Sequence, residues 1–98
     1  TLYLNSKNML IRDEVASEGS IDEAAIYTRE VIRRAMDLGA AAIILVHNHP
    51  SGDSAPSRQD IAMTRNIADA GKKFGIAVHD HIIIGKNGFN SMRSSGLL

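Results

Sequence analysis

The feature that most constrains this chain is a run of seven apolar residues, Ala40 to Val46, that ends directly in His47-Asn48-His49. Preceded by Gly39 and followed by a polar stretch containing Pro50 and Gly52, the run reads as a fully buried strand. Side chains alternate along a strand, so residues two apart point the same way, and the strand end delivers the imidazoles of His47 and His49 to one place. Pro50, Gly52 and Pro56 exclude regular helix from the loop that follows and stiffen it. Asp60 lies just beyond that loop, where its carboxylate becomes a third donor if the chain folds back. Two imidazoles and one carboxylate, with a fourth position open to water, form the ligand set of a catalytic zinc site rather than a closed structural one. A plainer role competes for the same residues. Ser57-Arg58-Gln59-Asp60 has the form of a capping box, with Ser57 capping a helix and Asp60 bonding back to the cap. The expectation is that one carboxylate does not serve fully as both cap partner and ligand.

The rest of the chain supplies elements around this strand. Leu2-Tyr3-Leu4 and Met9-Leu10-Ile11 flank Asn5-Ser6-Lys7-Asn8, which predicts a hairpin, with Arg12 to Val15 prolonging its second strand. Ser17 to Ser20 reads as a break and Ile21 to Tyr27 as an extended connection, because Ile26 and Tyr27 favour strand. Thr28 is the expected N-cap of a first helix, in which Val31, Ile32, Ala35 and Met36 recur at helical spacing and Gly39 is the C′ residue. Arg33 and Arg34 then read as a solvated helix face. A second helix is expected from Ser57, with Ile61, Met63, Thr64, Ile67, Ala68 and Ala70 on its inner face and Gly71 as its stop. Ile76 to Ile84 reads as one long strand containing His79-Asp80-His81, followed by a turn at Gly85-Lys86-Asn87-Gly88 and a return strand from Phe89 to Met92. His79 and His81 repeat the His-x-His spacing, but no downstream donor comparable to Asp60 follows. His81 is therefore expected to lie behind the site or in the core. The order β-β, α, β, α, β-β predicts an α/β fold, a mixed β-sheet flanked by helices.

Composition narrows the function. At 98 residues there is one domain, 1–98, and the strand-like start at Leu2 without an initiator methionine suggests a domain excised from a longer chain. Eleven basic and eleven acidic side chains cancel, so no broad basic surface is available for phosphates, and direct nucleic-acid binding is not expected. Without cysteine the chain has no disulfide, zinc ribbon or thiol nucleophile. A zinc deaminase is excluded too, since no Glu follows either histidine in the H-x-E pattern and the C-x-x-C pair is missing. With no signal peptide and no apolar run near 18 residues, a cytoplasmic protein without membrane contact is the default.

The spacing H-x-H-x7-S-x2-D, carried here by His47, His49, Ser57 and Asp60, resembles the zinc signature of the JAMM (MPN+) metallopeptidases. His47 to Asp53 with Pro56-Ser57, together with Thr28 to Val31 and Asp80 to Gly85, is similar to the RadC branch of the JAB-domain proteins, so the likeness spans nearly the whole chain. It implies a JAB/MPN architecture of cytidine-deaminase-like type. It also implies one Zn2+ ion held by His47, His49 and Asp60 with a water as fourth ligand, and Ser57 as a donor to an oxyanion or an anchor of that water. The substrate would be a peptide or protein whose amide bond is hydrolysed. Asn48 departs from the Ser or Thr common between the histidines of deubiquitinating members, so their isopeptide specificity does not transfer.

In that family the general base is a glutamate on the first strand. Glu14, Glu18, Glu23 and Glu30 do not fall there, and registering Leu2-Tyr3-Leu4 on that strand places the base just before Thr1. The alternatives are a non-catalytic MPN-type interaction module and an accessory domain of a DNA-repair-associated protein, the label the RadC branch carries.

Overall fold

The computed structural model describes residues 1–15, 24–49 and 52–98. Among these residues, five strands and two helices follow in the order β1 (Leu2–Leu4), β2 (Leu10–Asp13), α1 (Ala24–Asp37), β3 (Ala42–Asn48), α2 (Arg58–Lys73), β4 (Ala77–Gly85) and β5 (Gly88–Ser91). They build one mixed sheet in the order β2-β1-β3-β4-β5. Only β3 and β4 run parallel, joined through α2; the other neighbours are antiparallel. This is the α/β, mixed-sheet fold that the element order predicts.

Both helices pack on the sheet face that carries Tyr3, Ile43, Leu45 and Val78. Val31, Ile32 and Ala35 of α1 and Ile67 of α2 join those residues in a single buried cluster. Each helix ends in a Schellman turn, in which a left-handed residue lets the chain leave the helix axis. In α1 that residue is Gly39, at φ +66°, with Ala40 N–H bonded to the Ala35 carbonyl at 2.9 Å. No helix among the described residues is long and apolar enough to cross a membrane.

Several boundaries differ from expectation. α1 begins at Ala24, so Thr28 lies inside the helix rather than at its cap, and Ala24 to Tyr27 are helical rather than extended. Tyr27 stands one turn before Val31 and packs on the core cluster, so the helical face extends backward and overrides the local strand preference. The expected break at Ser17 to Ser20 and the first part of the connection, Ile21 to Glu23, lie outside the described residues.

The second helix runs through Gly71 and stops at Gly75, φ +72°, where Ile76 N–H bonds to the Gly71 carbonyl at 2.8 Å. Gly71 is required for close approach instead: a Cβ there would lie 2.6 Å from the Ile76 carbonyl oxygen. Arg34 is not a free surface cation, since its guanidinium forks onto the Glu14 carboxylate at 2.7 and 2.8 Å.

The parallel pair β3 and β4 carries a bulge. Ile43 pairs with Val78 but Ile44 pairs with Asp80, so His79 is the extra residue. A bulge breaks strict alternation. His81 therefore joins Val78 on the helix-covered face, opposite Leu45, while His79 turns away and its Nε2 meets the Asn8 side chain at 2.8 Å.

Candidate metal centre

β3 carries His47 on the same face as Ile43 and Leu45, the face on which α2 packs. Just past the strand, His49 N–H bonds to the Ile84 carbonyl at 2.9 Å, which prolongs the β3–β4 pairing and keeps the chain extended. Both imidazoles thus reach the same side, with ring centroids 4.8 Å apart in an edge-to-face arrangement. The loop then turns back. Gly52, at φ +87°, donates its N–H to the His49 carbonyl and accepts from Lys86 N–H at 2.9 Å, which pins the loop to the β4–β5 turn. The fit is close: a Cβ on Gly85 would lie 2.5 Å from the Gly52 carbonyl oxygen.

From that anchor the chain enters α2 through the expected capping box. Ser57 Oγ accepts from Asp60 N–H at 3.0 Å, and Asp60 Oδ2 accepts from Ser57 N–H at 2.8 Å. The same carboxylate meets both histidines, Oδ1 facing His47 Nδ1 at 3.0 Å and Oδ2 facing His49 Nε2 at 2.9 Å. Asp60 therefore makes the cap bond and faces both imidazoles at once. A carboxylate has about four lone-pair sites, enough for a cap bond and for contact with two imidazoles. Its side chain is 5% exposed, against 14% for His49 and 41% for His47, so the group opens to solvent on the His47 side.

Electrostatics favour a cation here. Burial raises the Asp60 pKa, but hydrogen bonds with Ser57 and His49 and the charge of His47 outweigh it, and the net shift is downward. His49 Nδ1 lies 2.8 Å from the Asp53 carbonyl oxygen, which only accepts, so Nδ1 carries the hydrogen. With a proton, Nε2 donates to the carboxylate oxygen; without one, it presents a lone pair to it. Two acceptors at 2.9 Å need a proton or a metal between them. Among the described residues, His47, His49 and Asp60 form a group whose donor atoms lie within 4.8 Å of one another, and that group can hold a metal ion. The residue set fits a divalent metal of borderline softness.

Other acidic residues among those described lie elsewhere. Asp53 Oδ1 accepts from Ala55 N–H at 3.0 Å, in a local turn. Glu14 is bound by Arg34, and Glu30 is exposed on α1. Asp80 faces Ser91 and Arg93.

The sequence does not mark the contact between Thr64 and His81, although His81 lies behind the site as expected. Thr64, on the inner face of α2, is fully buried, and its hydroxyl lies 2.6 Å from both the Asp60 carbonyl oxygen and His81 Nδ1. The available signal was Thr64 falling four residues after Asp60, one helical turn away. Burial pushes the His81 pKa down to about 4, against the opposing pull of the Asp60 charge. Its ring centroid lies 6.1 Å from that of His47. A family model described as RadC-like JAB domain matches residues 1–97.

Proposed function

The chain belongs to the RadC-like JAB domain family, and from that membership we propose that it is a zinc-dependent, metallopeptidase-like hydrolase domain acting on an amide bond of a peptide or protein. The observation that carries the proposal is the convergence of His47 and His49 on the two oxygens of the buried Asp60 carboxylate, with one donor atom from each residue within 4.8 Å of the others. His47, His49 and Asp60 would hold the ion. Bound zinc supplies a Lewis acid that polarises a carbonyl and brings the pKa of a bound water to about 7.

The chain's own groups do the positioning. Asp53 holds His49 in one tautomer and orientation through its carbonyl, the outer-shell contact that metal-binding imidazoles use. Asp60 would balance part of the charge of a bound ion while remaining fixed by Ser57 N–H. Ser57 Oγ accepts from Asp60 N–H, so its own proton is left to donate to an oxygen on the substrate carbonyl as negative charge develops. A further group must carry a proton to the leaving amine. Glu14 is bound to Arg34 and Glu30 is exposed on α1, so that group is to be sought outside the described residues.

Metal content of the purified protein tests the centre, with His49→Ala and Asp60→Ala as controls. Near one equivalent of zinc is expected in the wild type, with loss in both variants. A wild type without stoichiometric zinc, or a variant that binds it undiminished, refutes the assignment. Hydrolysis of peptide amides by the zinc-loaded protein is a separate assay. A protein that holds zinc but cleaves no amide would favour the interaction-module alternative.

A further inference from the structure

We infer that Thr64 and His81 are positioning residues for the metal centre, fixing the first turn of α2 so that the Asp60 carboxylate meets His47 and His49. The inference rests on reading those three residues as a metal centre. Their donors come from two separate elements, the end of β3 and the start of α2. The centre therefore requires α2 to sit at a fixed height and roll on the sheet.

Apolar packing alone is non-directional and leaves sliding and rolling motions soft. A metal site tolerates only about 0.5 Å of such error. The Thr64 hydroxyl makes the directional contact at the critical turn. It touches the Asp60 carbonyl of its own helix and His81 of β4, each at 2.6 Å. β4 is in turn paired with the strand that carries the histidines, with His81 opposite Leu45 and Ile83 opposite His47. A closed path thus runs from Asp60 through Thr64 and His81 into the sheet and back to His47.

The directions of these bonds follow from proton count. A hydroxyl has one proton, and the Asp60 carbonyl can only accept. The Thr64 proton therefore points to Asp60, and the Thr64 oxygen accepts from His81 Nδ1–H. That forces the Nδ1–H tautomer on His81. The simpler account is that Thr64 bonds back one turn, as helical threonines commonly do, and that His81 merely finds a buried partner. On that account neither residue has any bearing on the metal.

Zinc titration by competition with a chromophoric chelator, combined with the Co2+ absorption spectrum, separates the two accounts in wild type, Thr64→Val and Thr64→Ser. Valine keeps the shape and removes the hydroxyl; serine restores the hydroxyl. Thr64→Val should weaken zinc binding about 10- to 100-fold and alter the Co2+ bands, while Thr64→Ser returns both close to wild type. Zinc binding by Thr64→Val at wild-type strength, with an unchanged Co2+ spectrum, overturns the inference and leaves the metal centre standing. Failure of the wild type to bind zinc overturns the centre and the inference together. Should Thr64→Val not fold, long-range 1H–15N spectra of the wild type read the His81 tautomer. Nε2–H overturns the path, because the Thr64 proton would then point to His81 and not to Asp60; with Nδ1–H, His81→Gln should keep zinc affinity and His81→Leu lose it about tenfold, and equal affinity in the two overturns the inference.

Discussion

Acidifying the metal-free protein from pH 7 to pH 5 should destabilise it through His81. The side chain is 1% exposed and its pKa falls from 6.5 to about 4, chiefly by burial. Between those two values the unfolded chain binds a proton at this position and the native state does not. Stability therefore rises with pH across the window and is lost as pH falls below about 6.5. Evaluating the linkage with these two pKa values gives a loss of about 2 kcal/mol between pH 7 and pH 5. Moving the native value from 4 to 5 changes that figure little, since most of the loss comes from protonating the unfolded chain.

The window also avoids the carboxylates. Asp60 and Asp80 have lowered pKa values, so their contribution is present above the ordinary aspartate value near 3.8 and disappears only at lower pH. Urea unfolding in the presence of chelator is the assay. With a urea slope of roughly 1–2 kcal/mol/M, the midpoint should drop by about 1–2 M. The control is His81→Gln, whose amide can donate to Thr64 but does not titrate. Its stability should change by correspondingly less over the same range, whatever its value at pH 7. An equal slope in the variant, or a flat wild type, would show that His81 is not held neutral by burial.

Two glycines give further checks. Gly85→Ala places a Cβ within 3.0 Å of Gly52 O, Ser54 N and Ser54 Cβ, so the loop must shift and carry with it the Asp53 carbonyl that holds His49. Zinc affinity should fall about tenfold or more, and an unchanged affinity by chelator competition would show that the loop does not orient His49. Gly71→Ala gains about 1 kcal/mol of helix propensity but drives a Cβ into the Ile76 carbonyl, at a cost of about 1–3 kcal/mol. A net loss is expected in urea unfolding, and a more stable variant would mean that the helix end relaxes freely.

Local chemistry made most of the fold legible and left out what depends on contacts between distant segments. The apolar run before His47, the Asn-rich turn, Gly39 and the Ser57 cap each act within a few residues, and the elements they mark are present. The errors share a cause. Ile26 and Tyr27 have strand preference in isolation, but Tyr27 is helical where it continues the buried face of Val31. Gly71 resembles a helix stop until the returning chain brings the Ile76 carbonyl against it. The bulge at His79 has no marker in the sequence, because it depends on which residue of β3 lies opposite. Strict alternation would put His79 and His81 on one face as a second His-x-His pair. The extra residue separates them, leaving one near Asn8 and the other behind the candidate centre.

Asp60 shows why a local motif and a long-range site can be written in the same letters. As the third residue of α2 it must bond back to Ser57 for the helix to start cleanly, and that bond fixes the rotation of its carboxylate. One oxygen is then held at the cap edge and the other is left pointing at His47. Capping thus orients the carboxylate: the helix start limits the rotamers that a free surface aspartate would sample, and the entropy of ordering it is met by folding, before any ion the group could hold arrives. The same logic places Thr64 one turn later, where its hydroxyl can hold the helix to His81. A helix that begins on a capping box and meets a buried histidine one turn in is already positioned as the proposed centre requires.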